Sequence, residues 1–251
     1  MSSYQKDDQK LSAEKAGKAA GAVLAFGKAG RKARMDADYS DATFISDRLY
    51  NLILIGTVLW GVLLSAFLCA KIGNRFDMDP VAFIILYLVV AISGCIIAAK
   101  STKPLWSFLG FNMVAVPSGL LISTVVSAYL EMDPDIVLYA MVYTGLITIG
   151  MFGLTMAFPD FVGRLGGMLG MCLGGMIFCE IILLVFGIRQ NVLDWVGAGL
   201  FSVYIAYDIY RSQNFARTVD NAIDCALDIY LDIANLFLRI LRIMAKSKSD
   251  D

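Results

Sequence analysis

The sequence has 251 residues, of which 58% are hydrophobic and 17% charged, with a mean hydropathy of +0.68. Such a chain is too apolar for a soluble domain of its size and reads as a polytopic membrane protein. Its formal net charge is −1 and no basic cluster is interleaved with aromatics, so nucleic-acid binding has no support; histidine is absent, which excludes histidine-based catalysis, metal ligation and pH sensing.

Residues 1 to 47 form a polar leader rich in Ala, Gly, Lys and Asp, without the charged start and apolar core of a cleaved signal peptide. Within it Lys15, Lys18, Lys28, Arg31, Lys32 and Arg34 flank the apolar patch Val23 to Phe26. That segment reads either as a cytoplasmic surface element resting on anionic lipid or as a solvated tail.

Residues 48–246 form the membrane domain, and 247–251 are a polar tail. Six apolar spans run approximately over Leu49 to Ala70, Val81 to Ala99, Leu105 to Leu130, Ile136 to Ala157, Leu165 to Gly187 and Val192 to Tyr210. Each is near the roughly 20 residues that cross a bilayer. The connections are short and carry Asp79-Pro80, Lys103-Pro104, Asp133-Pro134 and Pro159-Asp160. Pro117 is expected to kink the third span. Gly166, Gly170 and Gly174, spaced by four, are expected to let another helix approach the fifth. Cys69, Cys95, Cys172, Cys179 and Cys225 lie in apolar runs without paired or metal-type spacing and read as small hydrophobes.

The seventh element, Val219 to Met244, differs in kind. Asp220, Asp224, Asp228, Asp232, Asn235, Arg239 and Arg242 recur in steps of three or four, so they share an arc of roughly 120°. Its Leu, Ile and Phe residues each favour insertion by roughly 0.3–0.6 kcal/mol, whereas a central Asp or Arg costs roughly 2.5–3.5. The charges outweigh the apolar gain, so this helix must be sheltered by other protein. The expected fold is an all-α membrane protein, a seven-transmembrane helix bundle whose polar-striped seventh helix is sheltered by the other six. The balance of basic residues in the leader and connections favours a cytoplasmic N-terminus. Seven crossings put Lys246 and the tail outside; a seventh helix that enters and returns is the competing arrangement.

Three intramembrane features stand out. Asp208 sits near the inner end of the sixth span; it reads either as a local pair with Arg211 or as a like-charge pair with Asp232 across the hairpin, titrating as a unit. Glu180 is isolated in the fifth span, with Arg239 or Arg242 as its expected partner. Tyr204, Tyr207 and Tyr210 read as packing groups.

The segment FSVYIAYDIYRSQ, followed after a short turn by ALDIYLDIANLFLRILRIM, resembles the signature of the Bax inhibitor family of seven-span membrane proteins. DFVGRLGGML, Asp160 to Leu169, resembles the family's motif before its fifth span. The likeness covers roughly Leu49 to Met244 and is most specific in the last two spans. It implies a pH-sensitive calcium leak in which Asp208 and Asp232 form the proton-sensing pair and carry calcium transiently. It also implies that Lys100 is the nearest equivalent of a basic residue paired with that dyad, and that Arg242 matches a late arginine. The second span offers no acid to pair with Arg242. Asp228, with Glu180 and Arg239, is a further candidate for auxiliary ion pairs.

Two carboxylates are too few for a tight calcium site, which suits passage. No resident cofactor is expected; the partners are the lipid bilayer, calcium and protons. The alternative is a non-conducting membrane regulator that binds another membrane protein, such as a membrane protease or an apoptosis or stress partner. An intramembrane aspartyl protease is disfavoured, because Tyr230-Leu231 stands where Gly-x-Gly is needed and no Pro-Ala-Leu motif occurs, so no enzyme activity is expected. The compact chain points to a bacterial cytoplasmic membrane, or to the endoplasmic reticulum in a eukaryote.

Overall fold

Proline opens four of the helices. Its missing N–H is one that a first turn leaves without a partner in any case, and its fixed φ suits helix entry. In the computed structural model, which describes residues 43–73, 79–101, 103–186 and 191–247, the order is α1 (Asp47–Lys71), α2 (Pro80–Lys100), α3 (Pro104–Met132), α4 (Pro134–Ala157), α5 (Pro159–Arg164), α6 (Gly166–Val185), α7 (Asn191–Ser212) and α8 (Val219–Ser247). The helices follow the spans expected from the sequence to within a few residues. The leader's basic patch, Arg75, Arg189 and the last four residues lie outside the described residues. Pro117 is accommodated inside α3 without ending it.

A side chain caps α1, which lacks an opening proline, and another supplements the proline of α4. Ser46 Oγ accepts from Leu49 N–H at 3.3 Å at the start of α1, and the Asp133 carboxylate accepts from Asp135 N–H at 2.9 Å at the start of α4.

Among the described residues five helices are long and apolar enough to cross a membrane: α1, α3, α4, the Gly166–Leu183 part of α6 and the Val192–Ser212 part of α7. The apolar stretch Ala82–Ala98 of α2 is shorter. The pattern of burial is the reverse of that in a soluble bundle. On α1 the buried stripe is Tyr50, Leu54, Thr57, Gly61, Ser65 and Leu68, whereas Leu52, Ile55, Leu59, Leu63 and Phe67 are exposed. Small and hydroxylated residues face protein, and large apolar ones face outward, as lipid-facing helices require.

Among the described residues the chain separates into two units. In one, formed by the helices up to Ser127 together with Ser212–Leu231, α2 and α3 cross at backbone contact: a Cβ at Gly94 would lie 2.8 Å from the Gly110 carbonyl oxygen. Tyr230 of α8 lies in a slot at Gly61, its ring 5.8 Å from that of Phe111 and its hydroxyl 2.8 Å from Ser65 Oγ. The entry to α1 is tied to the α7–α8 connection. Phe44 and Thr218 form an antiparallel bridge, Ile45 N–H donates to the Arg217 carbonyl at 2.8 Å, and Arg217 Nε is 2.8 Å from Asp47. The Arg217 guanidinium lies 4.7 Å from the centre of the Tyr50 ring, and the Tyr50 hydroxyl donates to the Ser212 carbonyl.

The other unit comprises Ala128–Arg211 with α8 from Asp232 onward. The close helix approach expected along Gly166, Gly170 and Gly174 occurs only at Gly166. Gly170 and Gly174 have no heavy atom within 4 Å of a built Cβ, because they sit on the exposed side of α6.

The striped helix is sheltered, as its insertion cost demands. From Asp220 to Ala245 nearly every residue of α8 is buried, apolar and charged alike.

Candidate functional site

The charges of α8 are laid out by its helical period, and in the second unit those of its C-terminal half meet acids from α6 and α7. Arg239 is ion-paired with Glu180 and lies 3.5 Å from Asp194. Arg242 Nε is 2.7 Å from Asp194 Oδ1, and Lys246 Nζ is 2.6 Å from Asp194 Oδ2. Glu180 thus takes the first of its two expected partners. Asp194 was not among the residues singled out from the sequence, because a carboxylate in the first turn of a helix looks like ordinary complementation of the helix dipole. Its place opposite three basic residues of α8 is set by the hairpin.

One expectation about the end of α8 changes. The acid missing for Arg242 in the second span is supplied from α7 by Asp194, since the α7–α8 hairpin brings an aspartate to the level of the arginine. Lys246 closes on the same carboxylate.

This pairing sets the register of the hairpin to within about one turn, since Asp194 meets both Arg242 and Lys246. Asp208 lies fourteen residues after Asp194 (208 − 194), and Asp232 fourteen before Lys246 (246 − 232). At about 1.5 Å per residue Asp208 and Asp232 therefore lie within about one turn of each other along the two antiparallel helices. Their faces agree as well. Asp194, Gly197 and Phe201 of α7 each meet a side chain of α8: Asp194 through its ion pairs, Gly197 through Arg239, whose Nε would be 2.8 Å from a Cβ there, and Phe201 through the same guanidinium 6.0 Å from its ring centre. At about 100° per residue Asp208 falls within about 40° of all three, and Asp232 falls about 20° from Arg239 on α8. Both aspartates are buried, Asp208 at 2% and Asp232 at 0% exposure.

Asp208 also lies 4.0 Å from Arg211, at the outer limit of an ion pair, so the local partner and the α8-facing orientation coexist. Asp228, buried one turn before Asp232, belongs to the first unit with Asp220, which accepts a short hydrogen bond from Ser107 Oγ of α3. Lys100 is the last residue of α2, and its side chain lies outside the described residues. Among the described residues no group of three or more His, Cys, Asp or Glu side chains is placed to hold a metal ion.

All-helical architecture, long apolar helices with outward-facing Leu, Ile and Phe, and a buried charged helix define an integral membrane protein of the multi-pass class. The family described as "Inhibitor of apoptosis-promoting Bax1" matches residues 42–249, and the chain belongs to this Bax inhibitor family. It is similar to Bax inhibitor 1 of Saccharomyces cerevisiae, 35% identical over 52% of this chain and 46% of that one. It is also similar to the inner membrane protein YbhL of Escherichia coli, 26% identical over 79% of this chain and 87% of that one, and to protein lifeguard 4 of Mus musculus, 26% identical over 78% and 82%. The match thus spans about half the length of the yeast relative and most of the other two.

Proposed function

We propose that this protein is a pH-sensitive calcium leak channel or transporter gated by Asp208 and Asp232. The observation that carries the reading is their arrangement: two buried carboxylates on the facing sides of adjacent antiparallel helices, within about one turn of each other. Like charges so placed disfavour double ionisation, so one proton is held between them at low pH and ties α7 to α8. Its loss to water at higher pH leaves two carboxylates that repel each other. They separate the helices at this level and present hard oxygen ligands to a passing calcium ion. The ion is cargo, and two carboxylates bind it weakly enough to release it.

The reading includes seven crossings with a cytoplasmic N-terminus. The start of α1 and the α7–α8 turn are held together, which fits an even number of crossings between them, namely α1, α2, α3, α4, α6 and α7. The seventh, α8, then runs back to the level of Asp194. A bacterial cytoplasmic membrane is the proposed location, or the endoplasmic reticulum in a eukaryote. No enzymatic step is assigned.

The test is calcium entry into dye-loaded liposomes containing purified protein, from about pH 5 to about pH 8. Flux that rises with pH, and loses that dependence in Asp208→Asn and Asp232→Asn, is the expected result. A second reading is favoured by the family description, which names apoptosis-promoting Bax1 as the target of its members: a non-conducting regulator that binds another membrane protein. Absence of flux from folded protein at every pH, with recovery of a stoichiometric membrane partner, would establish that reading instead.

A further inference from the structure

Three contacts on the far side of α7 bracket Asp208. Thr155 of α4 donates its hydroxyl to the Ala206 carbonyl at 3.0 Å. The ring of Tyr207 fills the space where Gly166 lacks a side chain; a Cβ there would lie 2.5 Å from Tyr207 Cε2. The ring of Tyr210 does the same at Gly163, where a Cβ would lie 2.6 Å from its Cζ. The two rings are themselves neighbours, with centroids 6.5 Å apart.

Tyr207 and Tyr210 are three residues apart and share one face of α7, whereas Asp208 is about 100° from the first and about 160° from the second. A helix keyed by its tyrosines into α5 and α6 therefore turns Asp208 toward α8. Gly163 and Gly166 are both in the segment DFVGRLGGML, whose spacing of three matches the spacing of the two tyrosines. A side chain at either glycine would have to displace a ring, and with both rings held against α5 and α6 that displacement is the push that would turn α7.

We infer that Gly163 and Gly166, with Tyr210 and Tyr207, are positioning residues that set the rotation of α7 and thereby aim Asp208 at Asp232. The inference rests on the reading of these aspartates as the gate, but its first test does not use flux. In a chain with Cys69, Cys95, Cys172, Cys179 and Cys225 replaced by Ala, Asp208→Cys with Asp232→Cys gives a pair whose oxidative cross-linking reports the rotation. Adding Gly166→Ala is expected to slow cross-linking roughly tenfold, and adding Tyr207→Leu to that variant to restore it. Gly170→Ala, which meets open space, is the control and leaves the rate unchanged.

With the native aspartates, Gly166→Ala is expected to shift the pH profile of calcium flux, and Tyr207→Leu to return it. Unchanged cross-linking in Gly166→Ala, or slowed cross-linking that Tyr207→Leu does not restore, overturns the keying. Cross-linking that follows the expectation in a protein without pH-dependent flux upholds the keying and removes the gate. If Gly166→Ala yields no folded protein, recovery of folded yield by Tyr207→Leu, and of Gly163→Ala by Tyr210→Leu, supports the keying. Absence of recovery in both pairs overturns it.

Discussion

Arg242 Nε lies 2.7 Å from Asp194 Oδ1, and neither side chain has any exposed surface. The pair joins the start of α7 to the last turns of α8, and the same carboxylate receives Lys246 and lies near Arg239. One acid therefore compensates much of the positive end of a helix that could not enter the membrane by itself. Removing one partner of a buried pair leaves the other uncompensated, at a cost of about 3–5 kcal/mol. Asp194→Asn is expected to lower the thermal midpoint in detergent more than Lys246→Met, since Lys246 is 19% exposed and can turn to water. Equal midpoints for the two variants would contradict Asp194 as the shared acceptor.

Glu180 and Arg239 provide a test of coupling. Each is almost fully buried, so Glu180→Leu and Arg239→Leu should each be strongly destabilising. The double variant removes both charges together, and its loss should fall short of the sum of the single losses by about 1–3 kcal/mol. Chemical unfolding of the four proteins in one detergent measures the difference; strict additivity would show that the pair is not energetically joined.

Glycines on different helices should respond oppositely to the same change. A Cβ at Gly94 meets the Gly110 carbonyl oxygen and Met113 Cβ, both at 2.8 Å, and the first is backbone that cannot rotate away. Gly94→Ala is expected to destabilise by about 1–3 kcal/mol by forcing α2 and α3 apart. Gly170→Ala meets nothing and should be neutral, or stabilising by about 0.5–1 kcal/mol through helix propensity. Midpoints measured side by side decide the matter, and a loss at Gly170 equal to that at Gly94 would refute it.

The gate makes a prediction with a definite sign. In the proposed gate a shared proton would close the α7–α8 pair at low pH, so calcium flux should rise as pH rises, and chelating external calcium should abolish the signal. Asp232→Asn leaves Asp208 without a second carboxylate to share its proton or repel, so on this reading its flux should lose the dependence on pH.

The helices were legible in the sequence because each is a local property. An apolar run of about 20 residues, a proline at its first turn and a polar connection need no knowledge of distant residues. The sheltering of α8 was equally legible, since the cost of its charges in lipid follows from composition and period alone. Asp208, Asp232, Glu180, Arg239 and Arg242 could be picked out as buried charges for the same reason. Who meets whom could not. Asp194 is the acceptor for Arg242 and Lys246 because a six-residue connection, 213–218, sets the register of two antiparallel helices. Gly166 is filled by Tyr207 while Gly170 faces open space, although the two glycines have the same spacing signature. The sequence by itself determined a membrane-embedded helical chain with one helix that had to be enclosed. Only the tertiary structure decided the rotation and level of each helix, and ion pairs and ring contacts between segments far apart in the chain depend on those two quantities.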